Sequence, residues 1–591
     1  MHRSLDYAPA SLRSTRASLG MTNRGGGWFL DRARLRTRDH LPLRELRPSR
    51  VRCFLCIIIT TMLKPHRLVM IAGAFCLATG LAAAQENFPQ SVRKAVREYR
   101  QQHEVEIVRS YAQLLSLPNV ASDTANIKLN ADAISKMLEQ RGFHAQELNV
   151  PGAPPAVYGE LRTPGAKHTL LFYAHYDGQP VDKTQWASDP WQAVIRPSNP
   201  EPGLPGTPLR EGGVDAKTIP LESLKVPLNP EWRIYARSAS DDKAPIQAVL
   251  TAIDALRAAK IPFGVNVKVF FEGEEEAGSP HLAEVFRQNA DLLKGDLWVL
   301  SDGPVNQTRR MQLYFGARGV TDLELTVYGP GRVLHDGHYG NWAPNPAAVL
   351  VDLLAHMRDA TSHILIPGFY DDVRALTAAE REAIAQIPDV DAQLKQELGL
   401  AWTESAGAAL PLAITQPALN IRGIEAGHVE DKAQNAISTT AKASIDFRLV
   451  PNQTPERVHQ LVEQFITQQG FYIVRQTPDI ETRRQHAKVI KVSWGPGYKA
   501  ARVAMDDPAV QPVVSAMEQT LGSPVIKMPL LGGSVPMYLF NDMLKTPVVG
   551  LPIANHDNNQ HGANENLRLQ NLWDGIEVFA GILAEAEKNW K

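Results

Sequence analysis

Cysteine is nearly absent: the 591-residue chain has three, Cys53, Cys56 and Cys76. A chain beginning at Gln85 would have none, which excludes disulfide staples and thiolate metal sites. Any transition metal must then be held by histidines and carboxylates. Net charge is also lacking, at a formal −1, so no basic field draws nucleic acid and no polybasic face draws a membrane. Lysine is missing from the first 61 residues, which carry arginine throughout and show no helical or strand periodicity. The longest early apolar run, Leu68 to Leu81, falls short of the roughly 20 residues a membrane span needs.

That run does fit a secretory leader. Met62 opens a basic start with Lys64 and Arg67, the apolar stretch follows, and Ala82 to Ala84 supply small residues for cleavage. The expectation is a start at Met62, a signal peptide over 62–84, and export to the periplasm or medium with no stable membrane insertion after processing. Residues 1–61 are then a misassigned or dispensable extension.

What is present is globular: 44% hydrophobic residues, enough for substantial cores and more than one domain. After residue 90, short apolar runs alternate with amphipathic helical patterns, the mark of an α/β fold with a mainly parallel sheet and helices on both faces. Four runs stand out: 168–174, 266–272, 296–302 and 546–552, each suited to a buried strand and each followed by polar, potentially ligating residues. In open α/β sheets, sites form beyond the carboxyl ends of strands, so this placement gathers distant residues. Ile246, Val249, Leu250, Ile253 and Leu256 recur at helical spacing after Asp241-Asp242, one of which is expected to cap that helix. The Pro- and Gly-rich stretch 196–231 reads as a surface insertion near the mouth of the site. From Gly319 a second α/β unit begins, with strand patterns in TDLELTVYG and AKASIDFRLV and helical patterns from Asn345 and Thr454. The expected organisation is 90–318 and 527–591 as one unit, with 319–526 inserted.

Five ligand types lie just past apparent strands. His175 suits zinc, with Asp177 placed to hold its other ring nitrogen. Asp241 sits at a strand-to-helix turn, where a carboxylate can bridge two cations. In Glu274-Glu275-Glu276, one glutamate can ligate while a neighbour acts as general base. Asp302 follows WVLS, and His561 lies in NHDNNQHGANE; His556 competes with it, and spacing does not choose between them.

The ordered motifs HYDGQP, SASDDK, EGEEEAGS, SDG, LHDGHYGNWAPNP, DFRLVP, GGSVP and QHGANE resemble the dimetal peptidase family of carnosine dipeptidases, glutamate carboxypeptidase, succinyl-diaminopimelate desuccinylase and aminoacylase. The likeness covers roughly residues 90 to 590 and is closest to the dipeptidase branch. It implies two divalent ions, zinc with manganese or cobalt as alternatives: His175 and Asp302 on one, Glu276 and His561 on the other, Asp241 bridging. It also settles His561 over His556. It implies Glu275 as general base, Asp177 orienting His175, His335 reaching the partner subunit's site in a homodimer, and Arg448, Gly533 and Ser534 binding a substrate carboxylate. The inserted unit would be a lid and dimerisation domain. Ala244 stands where glycine is common in the family, and HDGH replaces a frequent HSG; neither removes a ligand. Aspartate at position 302 goes with peptidases in this family. The implied activity is cleavage of an amide bond in dipeptides or short peptides, with an N-acyl-amino-acid amidohydrolase as the alternative.

Overall fold

A computed structural model describes residues 88–197 and 218–590. The leader at 62–84, the extension 1–61, the three cysteines and part of the 196–231 insertion lie outside the described residues. The four apolar runs form Asn266–Glu272, Thr169–His175, Leu297–Leu300 and Val548–Gly550. They lie side by side in that order at the centre of an eight-stranded sheet, each parallel to the next. His144–Leu148 and Ala156–Leu161 extend one side antiparallel. Gln312–Tyr314 and Ile526–Met528 close the other.

Central strands are apolar at consecutive positions because both faces are covered. Adjacent residues on a strand point to opposite faces. Phe172 meets Phe579 of the helix Leu569–Asn589 edge-on, while its neighbour Tyr173 packs with Phe270 and Phe540. On that second side, Phe286 of the helix Leu282–Asn289 stacks with Trp298 and meets Phe540 edge-on. Helices therefore cover both faces, as expected. The helices Phe88–Leu115, Lys243–Ala258, Gln511–Leu521 and Leu569–Asn589 also pack on one another.

A second sheet runs Ala418–Glu425, Thr440–Leu449, Gly319–Tyr328, Val489–Tyr498, Tyr472–Val474. Buried and less buried positions alternate strictly along Gly319–Tyr328, as one covered face requires. The cover is the helices Pro346–Met357 and Pro455–Gln468, whose Leu350, Leu353, Val458 and Val462 join Leu323, Ile445 and Phe447 in a separate core. Asn345 and Thr454 cap these helices by accepting from the N–H groups of Ala347 and Arg457.

Three details depart from the sequence reading. The helix Gln511–Leu521, placed by sequence in the inserted unit, packs Val513, Val514 and Met517 into the core of the main sheet. The described end of the 196–231 insertion buries Leu224 and Leu228, so it is not wholly a surface loop. Asp242 occupies the cap position of Lys243–Ala258, yet neither its carboxylate nor that of Asp241 caps the helix. Asp242 instead accepts from the His175 N–H at 3.3 Å, and Asp241 turns towards two histidines.

Candidate dinuclear metal centre

The parallel register aligns the carboxyl ends of the central strands, and the ligand candidates sit there. His175 ends one strand and Glu272 the next, paired in register. Glu275 and Glu276 follow in a single helical turn, Glu275–Ala277. Gly273 permits that turn, because a Cβ there would lie 2.5 Å from the Tyr176 hydroxyl. Asp302 comes two residues after Leu300, and Asp241 lies two residues before the helix Lys243–Ala258.

Two triads result, His175 with Glu275 and Asp302, and Asp241 with Glu276 and His561, the potential ligand atoms of each lying within 4.8 Å of one another. Asp241 joins them: His175 Nε2 is 3.0 Å from one of its oxygens and His561 Nε2 3.1 Å from the other. His561 Nε2 is also 3.3 Å from Glu276. His175 Nδ1 lies 3.3 Å from Asp177, whose carboxylate accepts from the N–H groups of Glu275 and Glu276 at 3.1 and 3.0 Å. Asp177 thus holds the histidine and the glutamate turn together. His556 points elsewhere, 3.7 Å from Glu397.

The charge balance fits cations. Four carboxylates face two imidazoles, and no lysine or arginine pairs with them among the described residues. Burial, then the charge of Asp241, pushes Glu276 up to about 8 and Asp302 up to about 6. Burial also drives Glu275 well above the carboxylate range. Burial works to raise Asp241 too, but its bonds to His175 and His561 outweigh this and hold it low. His561 rises to about 9, chiefly through its bond with Asp241. A donor set of imidazoles and oxygens, rich in negative charge, suits two divalent ions.

The cluster opens on a cavity of about 420 Å³ lined also by Arg448, Gly533 and Ser534. Arg448 donates to Ser534 Oγ at 2.8 Å and to Asp446 at 2.9 Å. His335 is not among the lining residues; it stands exposed on a two-residue strand, its ring 4.6 Å from that of His338.

Two residues escaped the sequence reading. Glu565, fully buried, accepts from Arg237 at 2.8 Å and from the N–H groups of Ser238, Ser240 and Asp241 at 2.8 to 2.9 Å, fixing the loop that presents Asp241. It ends the QHGANE motif, which was its signal. Arg318 donates through Nε to the Gly532 carbonyl at 2.7 Å and through its N–H to that of Gly533 at 3.3 Å, anchoring the turn before Ser534. Burial, then the neighbouring Arg448 charge, lowers its pKa to about 10.

Residues 216–585 match the peptidase family M20/M25/M40. The chain is 26% identical over 498 residues to the Cys-Gly metallodipeptidase dug1 of Schizosaccharomyces pombe, covering 81% of this chain and 95% of that protein. It is 27% identical over 489 residues to the human Beta-Ala-His dipeptidase, covering 81% and 86%. The crystal structure of the M20 family metallo-carboxypeptidase Sso-CP2 from Sulfolobus solfataricus superposes with a TM-score of 0.65 at 26% identity, over 82% of this chain and 99% of that one. These matches correct the expected localisation: the yeast Cys-Gly metallodipeptidases are cytosolic enzymes, so placement in the periplasm does not stand.

Proposed function

Because this chain belongs to peptidase family M20/M25/M40 and is a metallopeptidase of the dipeptidase branch, we propose that it hydrolyses the amide bond of dipeptides at the cluster around Asp241. The observation that carries this reading is the meeting of His175 and His561, one from each ligand triad, on the Asp241 carboxylate, with Glu275 of the first triad facing the same cavity. His175 and Asp302 would hold one ion, Glu276 and His561 the other, and Asp241 both, with zinc the metal that best suits nitrogen and oxygen donors. Bound there, two divalent ions supply Lewis acidity that acidifies water and stabilises developing negative charge.

The protein's own groups do the rest. Glu275 takes the proton of the attacking water and returns it to the leaving amine nitrogen. Asp177 keeps the His175 ring oriented and Nε2 directed at the cluster. Arg448, the Ser534 hydroxyl and the Gly533 N–H receive the substrate carboxylate, a group matched to a guanidinium fork. In a homodimer, the partner subunit's His335 would complete the site by stabilising the oxyanion. The same reading takes 90–318, the helix Gln511–Leu521 and 527–591 as the catalytic unit, and the inserted segment from Gly319, its sheet ending at Tyr498, as lid and dimerisation unit.

The test is amino-acid release by the full-length, metal-reconstituted chain on a dipeptide panel beside a matched N-acyl-amino-acid panel. Chelator-sensitive turnover confined to peptides is expected. Turnover confined to acyl compounds would replace the dipeptidase with an amidohydrolase, and silence on both would remove the reading.

A further inference from the structure

The cavity beside the carboxylate cluster is unevenly lined. Its charged side chains are Asp241, Glu275, Asp302 and His561 at the cluster and Arg448 at the carboxylate end. Between them runs an apolar wall: Leu410, Pro411 and Ile414 from the inserted unit facing Met528, Leu531 and Val535. Two polar neighbours on this lining are engaged elsewhere. Gln312 donates to the Pro304 carbonyl at 2.7 Å, and Asn306 accepts from Thr308 at 2.7 and 3.0 Å. Along this wall the lining offers no cation or anion to pair with a charged substrate side chain, and burying such a charge without a counter-charge is costly.

The wall is positioned against the turn that follows Leu531. A Cβ on Gly532 would lie 3.4 Å from Ile414 Cγ2, and one on Gly533 would lie 3.8 Å from Leu531 Cδ2. Pro411 sits in the first turn of the short helix Leu410–Ala413, where its fixed φ suits the helix and its missing N–H costs nothing. Leu410 is 39% exposed, with apolar surface left for a ligand to cover.

We propose that this wall selects peptides whose C-terminal residue carries an aliphatic side chain, with Ile414 and Leu410 as the specificity-determining residues. The inference rests on the reading above that Arg448, Gly533 and Ser534 hold the substrate carboxylate. The residue bearing that carboxylate must project its side chain beside the Gly532 turn, where Ile414 packs.

The experiment compares kcat/KM of the full-length, metal-reconstituted enzyme on Ala-Leu, Ala-Gly, Ala-Asp and Ala-Lys. Ala-Leu should exceed each of the others by about tenfold or more, the scale on which an apolar pocket discriminates. Ile414→Asp should lower kcat/KM for Ala-Leu by about tenfold through KM, while Ala-Gly changes by less than about threefold. Leu410→Ser, at an exposed position outside both cores, should act in the same direction. Equal rates across the four peptides, or a preference that survives both substitutions, would overturn the specificity wall while leaving the dipeptidase standing. No cleavage of any of the four would overturn the dipeptidase reading and the wall with it.

Discussion

Asp302 is buried and Glu275 and Glu276 are half-buried, with two imidazoles as their cationic neighbours, and single-residue changes test what each contributes. Glu275→Gln preserves shape and removes the proposed base; metal content should stay at the wild-type value while kcat falls by about 10²- to 10⁴-fold. Metal analysis beside initial rates checks both. Glu565→Ala acts at a distance. It strips the acceptor from the N–H groups of Ser238, Ser240 and Asp241, so metal affinity should drop by about 10- to 100-fold, read by competition with a chromogenic chelator. Glu272 offers a pH test outside the ligand set. Burial raises its pKa to about 8 from an ordinary 4.5, so the folded state keeps a proton that the unfolded chain releases. Its contribution to stability is therefore lost as pH rises from about 4.5 to about 8, and Glu272→Gln should flatten that part of the stability–pH curve in denaturant titrations. The candidate ligand residues were legible in sequence because acid and imidazole types cluster after apolar runs. Glu565 was harder to see: a single glutamate carries no sign of which backbone groups it will face.

Strands announce themselves when a residue pattern matches their burial. The consecutive apolar residues of Thr169–His175 and Asn266–Glu272 mark central strands, and the alternation of Gly319–Tyr328 marks a sheet with one covered face. Caps were legible where the side chain had no competing partner. Asn345 and Thr454 do cap their helices, whereas Asp241 and Asp242 were drawn to His175 and His561. Asn345→Ala should cost about 1 kcal/mol in chemical denaturation. Leu353→Ala, in the core beneath the second sheet, should cost about 2–5 kcal/mol. The helix Gln511–Leu521 follows the inserted sheet in sequence but shares its apolar face with Phe88–Leu115 and Leu569–Asn589, a choice of partner that its own pattern does not encode.

At the scale of the whole molecule, two bound ions would couple the carboxyl ends of several strands, so ligation and folding should be linked. Stripping metal with a chelator should lower Tm, and restoring zinc should raise it with concentration, as mass action requires. Subunit exchange tests the proposed homodimer and its shared site. Glu275→Gln and His335→Ala homodimers should each be impaired, and mixing them should regain activity, because one site of the mixed dimer would have an intact Glu275 and the partner's His335. Activity that stays absent after verified exchange would remove His335 from the proposed site. The sequence by itself determined the residue types that could ligate, the strands that end beside them and the family motifs, because periodicity and turn chemistry act over a few neighbouring residues. Only the tertiary structure decided that Glu565 holds the Asp241 loop, that Arg318 anchors the turn before Ser534 and that Ile414 closes the cavity wall. Those contacts join residues far apart in the chain, and sheet order and packing, rather than local pattern, set which of them meet.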